Sequence, residues 1–337
     1  MMELFGDPAV WLPFAFACLL GVSVLAYVVL DGFDLGVGLL SPLAQGDERS
    51  RMIASIGPFW DANETWLELA VGILLVAFPV AHGVILSTLY LPVAVLLVGL
   101  ILRGVAFEFR AKAPDHHRER WDRAFFVGSL MTAASQGFML GLYVMGLQVT
   151  APSLAFAVLT AFGVTAGYAF IGACWLVAKC EGALQDRARG WALSTLAFVA
   201  VGLGGVSLAS PLVSARIAER WFDLPQALWL APLPIAAAAL LWGLWRGLRR
   251  LDLADDRLAW APFAMGAALF VVTFAGLAYS FYPYVVPERL TIYEAASAPE
   301  ALLIIFVGTC VVLPVIVGYT VLAYVIFRGK ARDLRYD

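Results

Sequence analysis

Side chains able to exchange protons crowd into the first third of this sequence. Asp31 and Asp34 stand in DGFDLGVG, Asp61, Glu64 and Glu68 in GPFWDANETWLEL, and Arg103 and Glu108 in LILRGVAFEFR. On a helix, Asp61, Glu64 and Glu68 are related as i, i+3 and i+7 and share an arc of roughly 60° on one face. Asp31 and Asp34 are also i, i+3 neighbours. All lie in or beside long apolar runs, where an ionisable group is costly and points to function by default. Asp31, Asp34, Asp61, Glu64 and Glu68 gathered around the single guanidinium of Arg103 cannot all stay ionised in a low dielectric. A cluster of acids that share protons is what a proton relay requires. The structural reading stands beside it. Glu68 or Asp31 can cap a helix or bond a backbone group, and Arg103 can pair with Asp34 or Asp61 to neutralise them.

The other chemical candidates are weaker. His116 and His117 fall in a basic loop and read as solvated surface, while His82 is alone near a turn. A haem iron held by His82 would need its second ligand from elsewhere. Cys18, Cys174, Cys180 and Cys310 form no CxxC or Cys/His spacing, so no metal site is expected. Met131, Met139 and Met145 read as packing residues. Gly32 and Gly36 fit close helix packing better than chemistry, and no glycine run forms a phosphate loop. The chain handles charge but shows no redox centre of its own.

The elements that must position these groups follow from composition. Of 337 residues, 62% are hydrophobic and 14% charged, with a mean hydropathy of +0.86. Soluble domains run near 45–50% and about 25%, so soluble enzymes, disordered chains, collagen and disulfide scaffolds are excluded. With 22 basic and 25 acidic residues, the chain carries no nucleic-acid footprint. Crossing a bilayer core takes about 20 apolar helical residues, with every backbone amide bonded internally. Nine segments qualify: 9–30 (extending toward 40), 57–78, 80–107, 124–149, 155–178, 191–213, 226–247, 259–282 and 300–327. Only Phe78-Pro79 divides the second from the third, which predicts a tight hairpin. Trp11, Trp60, Trp121, Trp191, Trp229 and Trp260 fall near span ends, as an interfacial belt requires. The start MMELFGD has no Lys or Arg before the first apolar run, so no signal peptide is expected to be cleaved there. The chain reads as a single all-α, polytopic membrane domain over 1–337.

Lys and Arg mark the cytoplasmic loops. They collect in 41–55 (Arg49, Arg51), 108–123 (Arg110, Lys112, Arg118, Arg120, Arg123), 179–190 (Lys179, Arg187, Arg189), 246–257 (Arg246, Arg249, Arg250, Arg257) and the tail (Arg328, Lys330, Arg332, Arg335). The opposite side has Arg216, Arg220 and Arg289. Nine spans alternate correctly at every loop, with the amino terminus outside and the carboxyl terminus in the cytoplasm. The acids and Arg103 then all lie in the cytoplasmic half of the membrane.

DGFDLGVG at 31–38, GPFWDANETWL at 57–67 and LYLP…LILRGVAFEFR at 89–110, in this order, resemble subunit II of cytochrome bd-type quinol oxidases, the cyanide-insensitive oxidases included. The likeness is dense over about 20–125 and later rests on the hydropathy pattern and on FYPYVVP at 281–287. It implies two four-helix bundles plus a peripheral helix, dividing the chain into 1–150 with the acidic motifs and 151–337 with the last helix. It implies an integral subunit of a terminal oxidase of the bacterial cytoplasmic (inner) membrane that oxidises quinol and reduces dioxygen to water. Haems b558, b595 and d would be ligated by the partner, subunit I. A structural quinone occupies subunit II in some members, and a small single-helix accessory subunit can join. Asp61 matches the acid proposed to open a proton path from the cytoplasm, Asp34 the second acid of the GFD element, and Arg103 and Glu108 the RGVAFEFR element. Some members have Gln where Glu64 stands. The expected path thus comprises Asp61, Asp34, Glu64, Glu108 and Arg103, with Asp31 and Glu68 nearby.

A proton-coupled secondary transporter acting alone is the alternative. Such folds place broken-helix sites near the midplane in both halves, whereas these acids keep to the first three spans and one leaflet. A passive scaffold is the third reading.

Overall fold

The structure, a computed structural model, describes residues 7–213, 215–252 and 256–331. The residues before Asp7, the Arg216 side chain, and Arg332 and Arg335 of the tail lie outside the described residues. The elements are α1 (Pro8–Leu40), α2 (Gly46–Ala54), α3 (Trp60–Ala77), α4 (Pro79–Lys112), α5 (Asp115–Val144), α6 (Ala151–Lys179), α7 (Gly182–Val213), α8 (Ala215–Phe222), α9 (Gln226–Leu230), α10 (Pro232–Arg250), α11 (Ala261–Phe281), β1 (Tyr284–Val286), β2 (Leu290–Thr291), α12 (Ile292–Ala295) and α13 (Pro299–Ile326).

Among the described residues, eight helices are long and apolar enough to cross a membrane. The ninth expected span, α3, has 18 residues but carries Asp61, Glu64 and Glu68. Outward faces of the long helices are apolar: Leu208 is 75%, Leu212 87% and Ile304 76% exposed. In a multi-pass membrane protein such faces suit lipid or the helices of a partner.

Local signals set the helix ends. Asp7 caps α1 by accepting from the Ala9 N–H at 2.9 Å, with Pro8 in the first turn. Only Phe78 separates α3 from α4, which starts on Pro79, so the predicted hairpin is a single-residue hinge. The expected basic loop 108–123 is mostly helical instead. α4 continues to Lys112 and α5 begins at Asp115, because only Pro114 holds the preceding residue in extended backbone. Hydropathy marks the lipid depth of a helix, whereas helix ends follow from breakers. The segment 282–298 is not plain loop either. β1 and β2 form an antiparallel hairpin, and Thr291 and Glu294 make a capping box on α12. Hydrogen bonds from the Thr291 backbone and hydroxyl hold the Glu294 carboxyl below its usual range.

The first set of helices packs as α1 on α3 and α5, with α4 on α3 and α5. The second packs as α6 on α7 and α11, with α10 on α7 and α11. The sets join where α6 meets α1 and α5, and α13 lies outside against α1 and α3. The α1–α6 crossing is tight at Gly36 and Gly172. A Cβ on Gly36 would overlap the Tyr168 carbonyl, and one on Gly32 would stand 2.8 Å from the Tyr168 ring. These glycines serve packing, as expected.

Polar residues tie one end of the bundle together. Asp122 bonds Arg49 at 2.9 Å and Arg110 at 2.5 Å, and Arg187 pairs with Glu48. At the opposite end the Arg220 guanidinium donates to the carbonyls of Tyr279 and Tyr282.

Candidate functional site

The long α1 carries Asp31 and Asp34 inward, against α3 and α4. Asp31 is 0%, Asp34 1%, Asn63 0% and Arg103 2% exposed, so three ionisable groups and a carboxamide sit in the interior at membrane depth. The Arg103 guanidinium donates to Asp31 Oδ1 at 2.6 Å and reaches Glu64 Oε2 at 3.5 Å. Of the two partners the sequence suggested for Arg103, Asp34 and Asp61, neither accepts its hydrogen bond. Asp31 does, because it shares the level of Arg103, while Asp34 sits a turn away beside Asn63. Asn63 Nδ2 donates to Asp34 Oδ2 at 2.8 Å and to the Leu30 carbonyl at 3.2 Å. Asn63 Oδ1 accepts from the Tyr324 hydroxyl at 3.0 Å. Three atoms in this cluster, Asp31 Oδ2, Asp34 Oδ1 and Arg103 Nη1, are buried without a hydrogen-bond partner among the described residues. Such orphans are rare in protein interiors and mark a site with work to do.

A second polar chain approaches Asp31 from α5 and α6. Tyr168 donates to Gln136 Oε1 at 2.5 Å, and Gln136 Nε2 donates to the Tyr27 hydroxyl at 2.7 Å. Tyr27 lies beside Asp31 one turn along α1 and is buried.

Of the expected path residues, the structure brings Asp31, Asp34, Glu64 and Arg103 together. Glu64 is half-buried, with 27% of its side chain exposed. Asp61 and Glu68 flank Glu64 on the same face of α3, within electrostatic reach, and both are exposed. Glu108 is exposed on α4, with no hydrogen bond or ion pair to the cluster among the described residues.

Asn63, Tyr324, Tyr27, Gln136 and Tyr168 were not legible as site residues. Asn63 had a usable signal: its place in DANET turns it about 100° from the acidic face, toward the interior. Tyr324 had none, being one tyrosine in the apolar run of α13.

Bulky rings wall off the acids toward the α2 end. Phe33 stacks on Trp175 at 4.1 Å, Phe59 meets Trp175 edge-on at 5.3 Å, and Tyr324 lies 4.7 Å from Phe59. The Trp175 indole donates to the Ser55 carbonyl at 3.3 Å. Glu64, at the edge of this wall, is the half-exposed member of the cluster. Just past α6, burial pushes the Cys180 thiol up to about 12, with Lys330 and Arg51 offsetting only part of the effect.

His82 is half-buried near the α3–α4 hinge, and His116 and His117 are exposed, with rings 4.1 Å apart. The described residues hold no group of three or more His, Cys, Asp or Glu arranged for a metal ion.

A profile of the family described as cytochrome bd terminal oxidase subunit II matches residues 12–327. The chain is 27% identical to the cytochrome bd ubiquinol oxidase subunit 2 of Bacillus subtilis, over 93% of this chain and 94% of that one. It is 28% identical to the cytochrome bd-I ubiquinol oxidase subunit 2 of Escherichia coli K12, over 93% of each. It is also similar to a chain in the structure of bd oxidase from Geobacillus thermodenitrificans, with a TM-score of 0.71 and 20% identity over 95% of this chain and 99% of that one, a likeness of fold.

Proposed function

This chain belongs to the cytochrome bd terminal oxidase subunit II family, and from that premise we propose that it carries protons from the cytoplasm toward a partner subunit that reduces dioxygen. In this reading the complex oxidises quinol, subunit I holds haems b558, b595 and d, and the assembly sits in the bacterial cytoplasmic membrane. The amino terminus lies outside and the carboxyl terminus inside. The gathering of Arg49, Arg110 and Arg187 at one end of the bundle, away from Arg220, supports this orientation.

Reducing dioxygen to water consumes protons, and a haem site toward the outer face must draw them across the membrane. The observation that carries the reading is the buried pair Asp31 and Asp34, each with one carboxyl oxygen lacking a partner among the described residues. An ionised carboxylate left that way in low dielectric is expensive, and a proton on Asp31 Oδ2 or Asp34 Oδ1 removes the cost. Arg103 offsets the charge of Asp31 and keeps it ordered. Asp61, exposed in the first turn of α3, collects protons, and Glu108 belongs to the surrounding collecting surface. Glu64 links that surface to the Arg103–Asp31 pair, since the ring wall closes the direct way to Asp34. Glu68, further along the same face and exposed, would be unfavourable against lipid. Facing the partner, it hands protons on.

An independent transporter would call for a matching site in the second half. Beyond residue 150, no acid is buried among the described residues.

The test is Asp61→Asn in the assembled oxidase. Slowed oxygen consumption and proton uptake at normal haem content are expected. Both rates unchanged would remove Asp61 from the path.

A further inference from the structure

We propose that the last helix is a positioning element for the acid pair, with Tyr324 fixing which way the Asn63 carboxamide faces Asp34. This inference rests on the reading that Asp34 serves the proton path.

A buried carboxamide can sit either way round in nearly the same space, so its neighbours decide. Two of the groups around Asn63, the Leu30 carbonyl and the Asp34 carboxylate, can only accept, and both take hydrogens from Nδ2 at 3.2 and 2.8 Å. That leaves Oδ1 facing away, and the Tyr324 hydroxyl donates to it at 3.0 Å. Remove this hydroxyl and Oδ1 becomes a buried acceptor without a donor, a costly state. The remaining relief is to turn the carboxamide so that Oδ1 takes a hydrogen from a protonated Asp34. Without Tyr324 the orientation of Asn63 therefore becomes tied to the proton on Asp34. With it, Asp34 sees a fixed donor whatever its charge.

The rest of α13 is mostly exposed; its buried residues are Leu302, Thr320 and Ala323, the last two in the turn that ends on Tyr324. The helix end is clasped rather than packed along its length. Lys179 Nζ donates to the carbonyls of Phe327 at 2.6 Å and Gly329 at 2.9 Å, just past the end of the helix at Ile326. The same ammonium lies 5.0 Å from the centre of the Phe59 ring, against which Tyr324 packs. The Ala331 N–H returns to the Lys179 carbonyl at 2.8 Å. Lys179, Phe59 and Tyr324 form one clasp that ends on Asn63.

The experiment is the pH profile of quinol-driven oxygen consumption in the assembled oxidase carrying Tyr324→Phe, which keeps the ring against Phe59 and removes only the hydroxyl. The expected result is a profile displaced by about one pH unit, the equivalent of one hydrogen bond, at parental haem content. 3-Fluorotyrosine at position 324 preserves ring and hydroxyl, donates more strongly, and displaces the profile the opposite way; it serves if Tyr324→Phe does not assemble. Profiles superimposable on the parent overturn the inference. If Asp34→Asn in the same preparation still slows proton uptake, the positioning role alone is lost. If Asp34→Asn is equally silent, the path reading falls with it.

Discussion

Arg103 bonds Asp31 at 2.6 Å, while Asp34, one turn further along α1, takes its hydrogen bond from Asn63 at 2.8 Å. The two acids are neighbours in sequence but answer to different partners. Asp31 faces a permanent cation from α4. Asp34 faces a neutral carboxamide whose orientation is set from α13. The pair thus meets two different surroundings, a guanidinium at Asp31 and a carboxamide at Asp34.

Arg103→Met should destabilise the protein by about 3–5 kcal/mol, because it leaves Asp31 buried without its cation. Thermal unfolding of the purified complex measures this. A parental midpoint would mean that Asp31 and Asp34 are neutral without help from Arg103.

Gly36→Ala places a methyl group on the Tyr168 carbonyl and must push α1 from α6. A loss of about 1–3 kcal/mol is expected, with lower yield of assembled complex. Unchanged yield and stability would show that this crossing is looser than described.

Asp61→Asn and Glu108→Gln should separate path from surface. Asp61 lies beside Glu64 on α3 and its loss should slow proton uptake on the order of tenfold. Glu108 touches no member of the cluster among the described residues, and its loss should change the rate by no more than about twofold. Stopped-flow proton uptake in liposomes decides, and equal effects would contradict the assignment.

Cys180 should resist alkylation at pH 8. Burial pushes its thiol up to about 12, so almost none of it is thiolate there. Unfolding in denaturing detergent restores reactivity. Mass spectrometry after maleimide treatment of the native complex reads the result; rapid labelling at pH 8 would refute the burial.

The acid motifs were legible because charge inside an apolar run is conspicuous, and the arc shared by Asp61, Glu64 and Glu68 follows from helical spacing alone. The Phe78-Pro79 hinge was legible for a similar local reason. The partner of Arg103 was not, since parity places Asp31 and Asp34 in the same leaflet without saying which meets the guanidinium. Tyr324 was beyond reach. Its role depends on α13 returning to α1 and α3 from 261 residues past Asn63, a contact no spacing encodes. The helical extension of α4 and α5 into the basic segment was missed because charge set the expected boundary, while the backbone broke only at Pro114.

The clasp on Asn63 also has a consequence for biosynthesis. Chains emerge from the ribosome amino terminus first, so α1, α3 and α4 enter the bilayer with their acids long before α13 has been translated. Until α13 inserts, the Asn63 carboxamide lacks the hydroxyl that orients it. The acid centre is therefore completed only after α13 has been made, and a nascent chain cut short before Tyr324 would carry its acids without their finished setting.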